Sequence, residues 1–154
     1  MINRAVVIKL DPRRIETVDR PVDELIAGEV IVKSMQVGVC RSDIEMLDGN
    51  HDDPMPPYPV VIGHEWAGIV EEVGPGVTDF KKGDRVACAG AQCANHAEYV
   101  SVPVNLAVHI PESVSLESAA TVALGAIALQ GFRRAEPTLG ETFFFWCLGI
   151  LGQL

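Results

Sequence analysis

Gly63-His64-Glu65-Trp66-Ala67-Gly68-Ile69-Val70-Glu71-Glu72-Val73-Gly74 is the stretch on which the fold turns. From Ala67 to Val73 it reads as a strand, and Gly74-Pro75-Gly76 closes it as a turn. Upstream, Ala5–Lys9 is a short β run, and Glu29–Val37 alternates apolar and polar residues after Gly28. Residues 41–47 suit a short helix ended by Asp48-Gly49, and four prolines within His51–Pro59 make that stretch an exposed loop. Downstream, Lys82-Gly83-Asp84 turns into the strand Arg85–Ala89, and Ala97–Val102 and Leu106–Ile110 add two more. Many short strands divided by Gly/Pro turns predict a barrel or sandwich. After Pro111 the character changes. Ser115 suits a helix N-cap, and the apolar run to Arg134 predicts one long helix packed on several sides, weakened by Gly125 and Gly131. Phe143–Cys147 reads as a buried strand.

Composition narrows the classes. The chain has 154 residues, 48% hydrophobic and 21% charged, with a net charge of −9. That balance provides a core and excludes disorder, a nucleic-acid surface and a polybasic membrane anchor. The mean hydropathy is +0.22. The apolar runs Ala119–Leu129 and Phe143–Leu151 nevertheless fall short of the roughly 18–20 residues that a membrane span needs. Asn3, Arg4 and Lys9 interrupt the N-terminal apolar residues, so no signal peptide is read there and a cytoplasmic location is expected. The four cysteines, Cys40, Cys88, Cys93 and Cys147, read as free thiols or metal ligands rather than a disulfide scaffold.

Two segments carry candidate chemistry: Cys40-Arg41-Ser42-Asp43 and Gly63-His64-Glu65. Thiolate, imidazole and carboxylate are all zinc ligands, and catalytic zinc uses three such groups plus an open position. Asp43 is placed to orient His64 through its second ring nitrogen, and the Ser42 hydroxyl can pass a proton. Spacing alone does not decide this. Cys40 and His64 are 24 positions apart, and chemistry alone favours a buried structural thiol with a hydrogen-bonded imidazole.

Taken together, Val37-Gly38-Val39-Cys40-Arg41-Ser42-Asp43, Gly63–Val70, Glu72-Val73-Gly74, Gly83-Asp84-Arg85-Val86 and Ala97-Glu98-Tyr99-Val100 resemble the medium-chain dehydrogenase/reductase family of zinc-containing alcohol dehydrogenase type. The blocks occur in the family's order across almost the whole chain. The resemblance implies a mainly β fold with short helices: a GroES-like β-barrel over residues 1–137, ending in the long apolar helix. Residues 138–154 would be the first strand of an incomplete, truncated Rossmann domain. It further implies Cys40 and His64 as catalytic zinc ligands, with Glu65 as an alternate ligand or supporting group. Ser42 would be the proton relay, Asp43 the holder of the His ligand and Arg41 a cofactor phosphate contact. The expected activity is NAD(P)-dependent oxidation or reduction of a small alcohol, polyol or sugar, without nucleic-acid or membrane partners.

Three departures qualify that implication. The family's remaining zinc ligand aligns near Ala123, where no Cys or Glu stands, so zinc affinity is expected to be low or the site empty. The structural-zinc lobe is reduced to Cys88–His96, and Cys88, Cys93 and His96 read as packing and loop residues, one ligand short of a closed site. The glycine motif reads Cys147-Leu148-Gly149-Ile150-Leu151-Gly152: Gly149 and Gly152 match the second and third glycines of the dinucleotide cradle, and Cys147 replaces the first. The expectation is a catalytic-domain fragment with little activity alone. The alternative is a non-catalytic barrel that binds metal or partners, or a truncation remnant. In either case an apolar patch including Phe143–Trp146 favours association, with a homo-oligomer as one outcome. His51 reads as a loop histidine, and His109 as the end of a short strand.

Overall fold

A computed structural model describes residues 2–50 and 57–154. The expectation for His51 lies outside them. Among the described residues, eight strands and four helices follow one another as β1 (Ile2–Leu10), β2 (Arg13–Pro21), β3 (Glu29–Val37), α1 (Arg41–Asp48), β4 (Val60–Val61), β5 (Glu65–Val73), β6 (Arg85–Ala89), β7 (Tyr99–Pro103), β8 (Ala107–His109), α2 (Leu116–Ala119), α3 (Val122–Arg134) and α4 (Ile150–Gln153). A 3₁₀ turn, Val104–Leu106, links β7 to β8. The strands form two antiparallel sheets, ordered β2-β1-β4 and β7-β3-β5-β6-β8, and a bridge between Ala5 and Ala97 joins them. No helix among the described residues is long and apolar enough to cross a membrane.

β5, the stretch quoted first, is the centre of the larger sheet. Trp66, Ala67, Gly68 and Val70 are buried, and β3 and β6 flank it. One face of that sheet packs Trp66, Val70, Val30, Val32, Val86 and Cys88 into the main core. Ala67 and Ala87 meet Ile110, Ala119 and Ala120 in a second cluster, which seats α2. A third cluster, Ile8, Val60 and Ile62, receives Met46 and Leu47 from α1. That packing brings the start of α1 beside the segment running from Ile62 into His64. The helix ends at Gly49, whose left-handed φ of 78° closes the last turn.

Three expectations change. The long helix divides: Ala120 ends α2, and the Thr121 hydroxyl donates back to the Ser118 carbonyl at 2.9 Å, a local bond that competes with helix continuation. α3 is also not packed on several sides, since none of its residues is buried, and Ile127 and Leu129 are exposed. Phe143–Cys147 is neither strand nor buried: Trp146 is 91% exposed. A strand needs a neighbour for its backbone groups, and none of the sheet strands pairs with this segment. Its aromatic rings instead gather at α3, with Phe132 5.3 Å from Phe143 and 6.4 Å from Phe145, centroid to centroid. Sequence reading also missed β2, whose partly buried face of Arg14, Glu16, Val18 and Arg20 has a single apolar residue, and the two-residue β4.

Candidate active site

The start of α1 is the scaffold. Cys40 occupies the N-cap position with extended backbone, and Asp43 lies three residues in. The Asp43 carboxylate is 3% exposed, yet it is well provided with donors. Oδ2 accepts from the Cys40 N–H at 2.8 Å, which satisfies a free donor at the helix start. Oδ1 accepts from the Gly63 N–H at 3.2 Å, across 20 residues of sequence. One side chain therefore ties the Cys40 and His64 segments together.

The same Oδ1 lies 3.7 Å from His64 Nδ1, too long for a hydrogen bond and within ion-pair reach. Proximity is as expected, but the primary duty of Asp43 is to the two backbone amides. With Nδ1 turned to Asp43, the other ring nitrogen of His64 is the one free to ligate, and the imidazole is partly exposed. Cys40 is a free, half-buried thiol. Glu65 is 4% exposed and its carboxylate lies against Gly38, where an added Cβ would come within 2.7 Å of Glu65 Cδ. Ser42 is half-buried at the second residue of α1. Arg41 is exposed and pairs with Glu45 at 3.1 Å.

Donor kind and donor arrangement give different answers about metal. Thiol, imidazole and carboxylate are donor types that suit zinc. Among the described residues, however, no three His, Cys, Asp or Glu side chains are gathered to hold an ion. Ala123, where a third ligand was sought, sits half-buried in α3. The donor types present are those of a zinc site, with Cys40 and His64 on the two segments that Asp43 joins.

The remaining residues fall elsewhere. Gly149 precedes α4 and Gly152 lies within it, beside an apolar cavity of about 510 Å³ lined by Leu129, Phe132, Phe145 and Leu151. None of the residues from Cys40 to Asp43, nor His64 or Glu65, lines that cavity. Cys88 is buried in β6, and burial pushes its thiol pKa well up. Cys93 follows it in a turn. The exposed His109 has a partner the sequence did not suggest: it stacks on Phe80 at 4.5 Å, and its Nε2–H donates to the Asp79 carbonyl at 2.9 Å. His96, read from the sequence as a residue near a loop, is buried. Its phase with Val100 and Val102 along the run into β7 is the one local signal of an inward side chain.

A family model described as the alcohol dehydrogenase GroES-like domain matches residues 26–112. The chain belongs to this family. The match spans β3 to β8 and so contains both segments of the site. Among relatives of the domain, an alcohol dehydrogenase from Geobacillus stearothermophilus is 30% identical over 172 residues, covering 93% of this chain and 50% of that protein. The S-(hydroxymethyl)glutathione dehydrogenase of Escherichia coli O6:H1 strain CFT073 is 40% identical over 114 residues, covering 73% of this chain and 30% of that one. In fold, the chain is similar to the CAD protein of Helicobacter pylori, crystallised with NADP(H). The TM-score is 0.83 at 20% identity, over 99% of this chain and 55% of that one. The chain thus spans about half, or less, of the length of the relatives it matches. These findings support the medium-chain dehydrogenase/reductase resemblance and a mainly β GroES-like domain.

Proposed function

We propose that this chain is the N-terminal catalytic-domain portion of an NAD(P)-dependent oxidoreductase acting on a small alcohol, polyol or sugar. The observation that carries the reading is the Asp43 tie, which holds the Cys40 segment and the Gly63-His64 segment together at one helix start. On this reading Cys40 and His64, with Glu65 as the third donor, would hold zinc, which would supply Lewis-acid polarisation of a substrate oxygen. Asp43 keeps His64 oriented. The Ser42 hydroxyl would take the proton of the substrate hydroxyl and give its own proton to water; a nicotinamide cofactor, when bound, would supply the hydride acceptor. Arg41 would exchange Glu45 for a cofactor phosphate.

With Cys147 in place of the first motif glycine, the chain by itself would not hold a whole dinucleotide. Hydride transfer needs both reactants in near-attack geometry, so the chain alone should not turn over. The test follows NAD(P)H formation with a panel of alcohols and polyols, with and without a chelator. No turnover is expected, and chelator-sensitive turnover by the purified chain would overturn that part of the proposal. A second reading, a non-catalytic barrel serving as an interaction module, is favoured by the absence of a three-donor group among the described residues and by the exposed Phe144 and Trp146.

A further inference from the structure

His96 stands outside the candidate site and holds both of its segments. It is 8% exposed. Its side chain reaches across the fold, where Nε2–H donates to the Gly38 carbonyl at 2.9 Å. Because that carbonyl only accepts, the bond fixes the proton on Nε2. The His96 backbone N–H donates to the Ile62 carbonyl at 2.7 Å, and its own carbonyl accepts from the Val6 N–H at 2.8 Å. The ring lies close against Gly63. A Cβ at that position would overlap the ring and come within 2.6 Å of the His96 backbone nitrogen, and Gly63 also has a φ of +102°. The Gly38 N–H closes the circuit by donating to the Glu65 carbonyl at 3.1 Å.

Two simpler accounts compete. A metal ligand set with Cys88 and Cys93 is opposed by the commitment of Nε2 to Gly38 and by the absence of a three-donor group among the described residues. A histidine that merely fills the core is opposed by where its contacts go. The side-chain bond ends two residues before Cys40, and the ring closes on the residue before His64.

We infer that His96 is a positioning residue: its bond to Gly38 and its packing on Gly63 set the spacing between Cys40 and His64. What that spacing serves rests on the function proposed above.

The test uses the full chain and three variants. His96→Gln keeps a donor near the Nε2 position, His96→Asn is one methylene short of Gly38, and His96→Phe fills the ring's space without a donor. Cobalt(II) titration, read by its thiolate absorption bands, reports the Cys40–His64 geometry. Amide hydrogen exchange at Gly38 and Gly63, whose N–H groups donate to the Glu65 carbonyl and the Asp43 carboxylate, reports whether the two segments stay docked beside His96. The expected result is cobalt binding weakened about tenfold or more with altered bands in His96→Asn and His96→Phe, and rescued in His96→Gln, in line with supports of metal ligands elsewhere. Exchange at Gly38 and Gly63 should quicken about tenfold in the first two variants, the equivalent of one lost hydrogen bond, and stay parental in β5 and β6. If His96→Phe fails to fold, the Gln and Asn pair decides. Parental exchange at both glycines in His96→Asn overturns the inference. So does equal loss in Gln and Asn with exchange raised throughout, which marks a purely structural histidine. If the parent takes up no cobalt, the metal reading fails, and the exchange measurement still decides the role of His96.

Discussion

Replacing Asp43 by alanine should destabilise the domain by about 3 kcal/mol. The carboxylate accepts from two backbone amides, Cys40 N–H at 2.8 Å and Gly63 N–H at 3.2 Å. Hydrogen bonds to a charged group contribute about 1.5–3 kcal/mol each, and burying a carboxylate costs several kcal/mol, so the net worth of the intact arrangement is small. Truncation is different, because it leaves donors behind. Gly63 is buried, so its amide bears most of a desolvation penalty of about 1–3 kcal/mol. Cys40 is half-buried, and water can meet part of its need. Loss of an N-cap-type acceptor adds about 1 kcal/mol. The assay is urea unfolding with the slope unchanged, together with a fall in Tm of roughly 2–4 °C per kcal/mol for a domain of this size. Asp43→Asn should lose comparable stability, because its amide group sets a donor against one of the two N–H groups. A loss below about 1 kcal/mol in both variants would refute the tie between the two segments.

Gly63→Ala combines a left-handed φ with overlap on His96 and should cost about 2–4 kcal/mol, at least about 1 kcal/mol more than Gly83→Ala, where φ is +92° but the space is open; urea midpoints compare them. Iodide should quench Trp146 fluorescence and spare Trp66, which is fully buried, and Trp146→Phe should remove the quenchable fraction. The double change Phe144→Ser, Trp146→Ser should reduce self-association in sedimentation without loss of stability, since both side chains are exposed in the fold. Burial raises the Cys88 pKa, so the folded thiol keeps its proton at a pH where the unfolded one, with its ordinary pKa, has ionised. The unfolded state then binds fewer protons, and stability falls as pH rises through roughly 9–10.5, by up to about 1.4 kcal/mol per pH unit. Cys88→Ala should lack that slope.

What the sequence could reveal followed its periodicities. β3, β5 and β6 carry enough apolar residues in turn-bounded runs to be read directly, and Cys40–Asp43 with Gly63–Glu65 stood out as a candidate site through the family resemblance, because their spacing forms no local metal motif. β2 was not legible, because its partner β1 supplies the apolar face and its own alternation is mostly charged. The break at Thr121 depends on a hydroxyl bonding backwards and on Ala119 and Ala120 docking onto β5 and β6, which no helix pattern displays. Phe143–Cys147 has the composition of a central strand, but strand formation depends on a partner. Asp43 was expected to hold His64. Its bonds to Cys40 and Gly63 amides emerged only when two segments 20 residues apart were brought together. His96 was hidden for the same reason: its partners are at 38 and 63.

Zinc stoichiometry of the purified chain, measured by equilibrium dialysis beside Cys40→Ser, His64→Ala and Cys93→Ser, tests the central claim most directly. The account predicts about one weakly held ion per chain in the parent and in Cys93→Ser, lost in the other two variants. Zinc retained in Cys40→Ser, or no uptake by the parent, would contradict the assignment of this helix start as a metal-binding catalytic site.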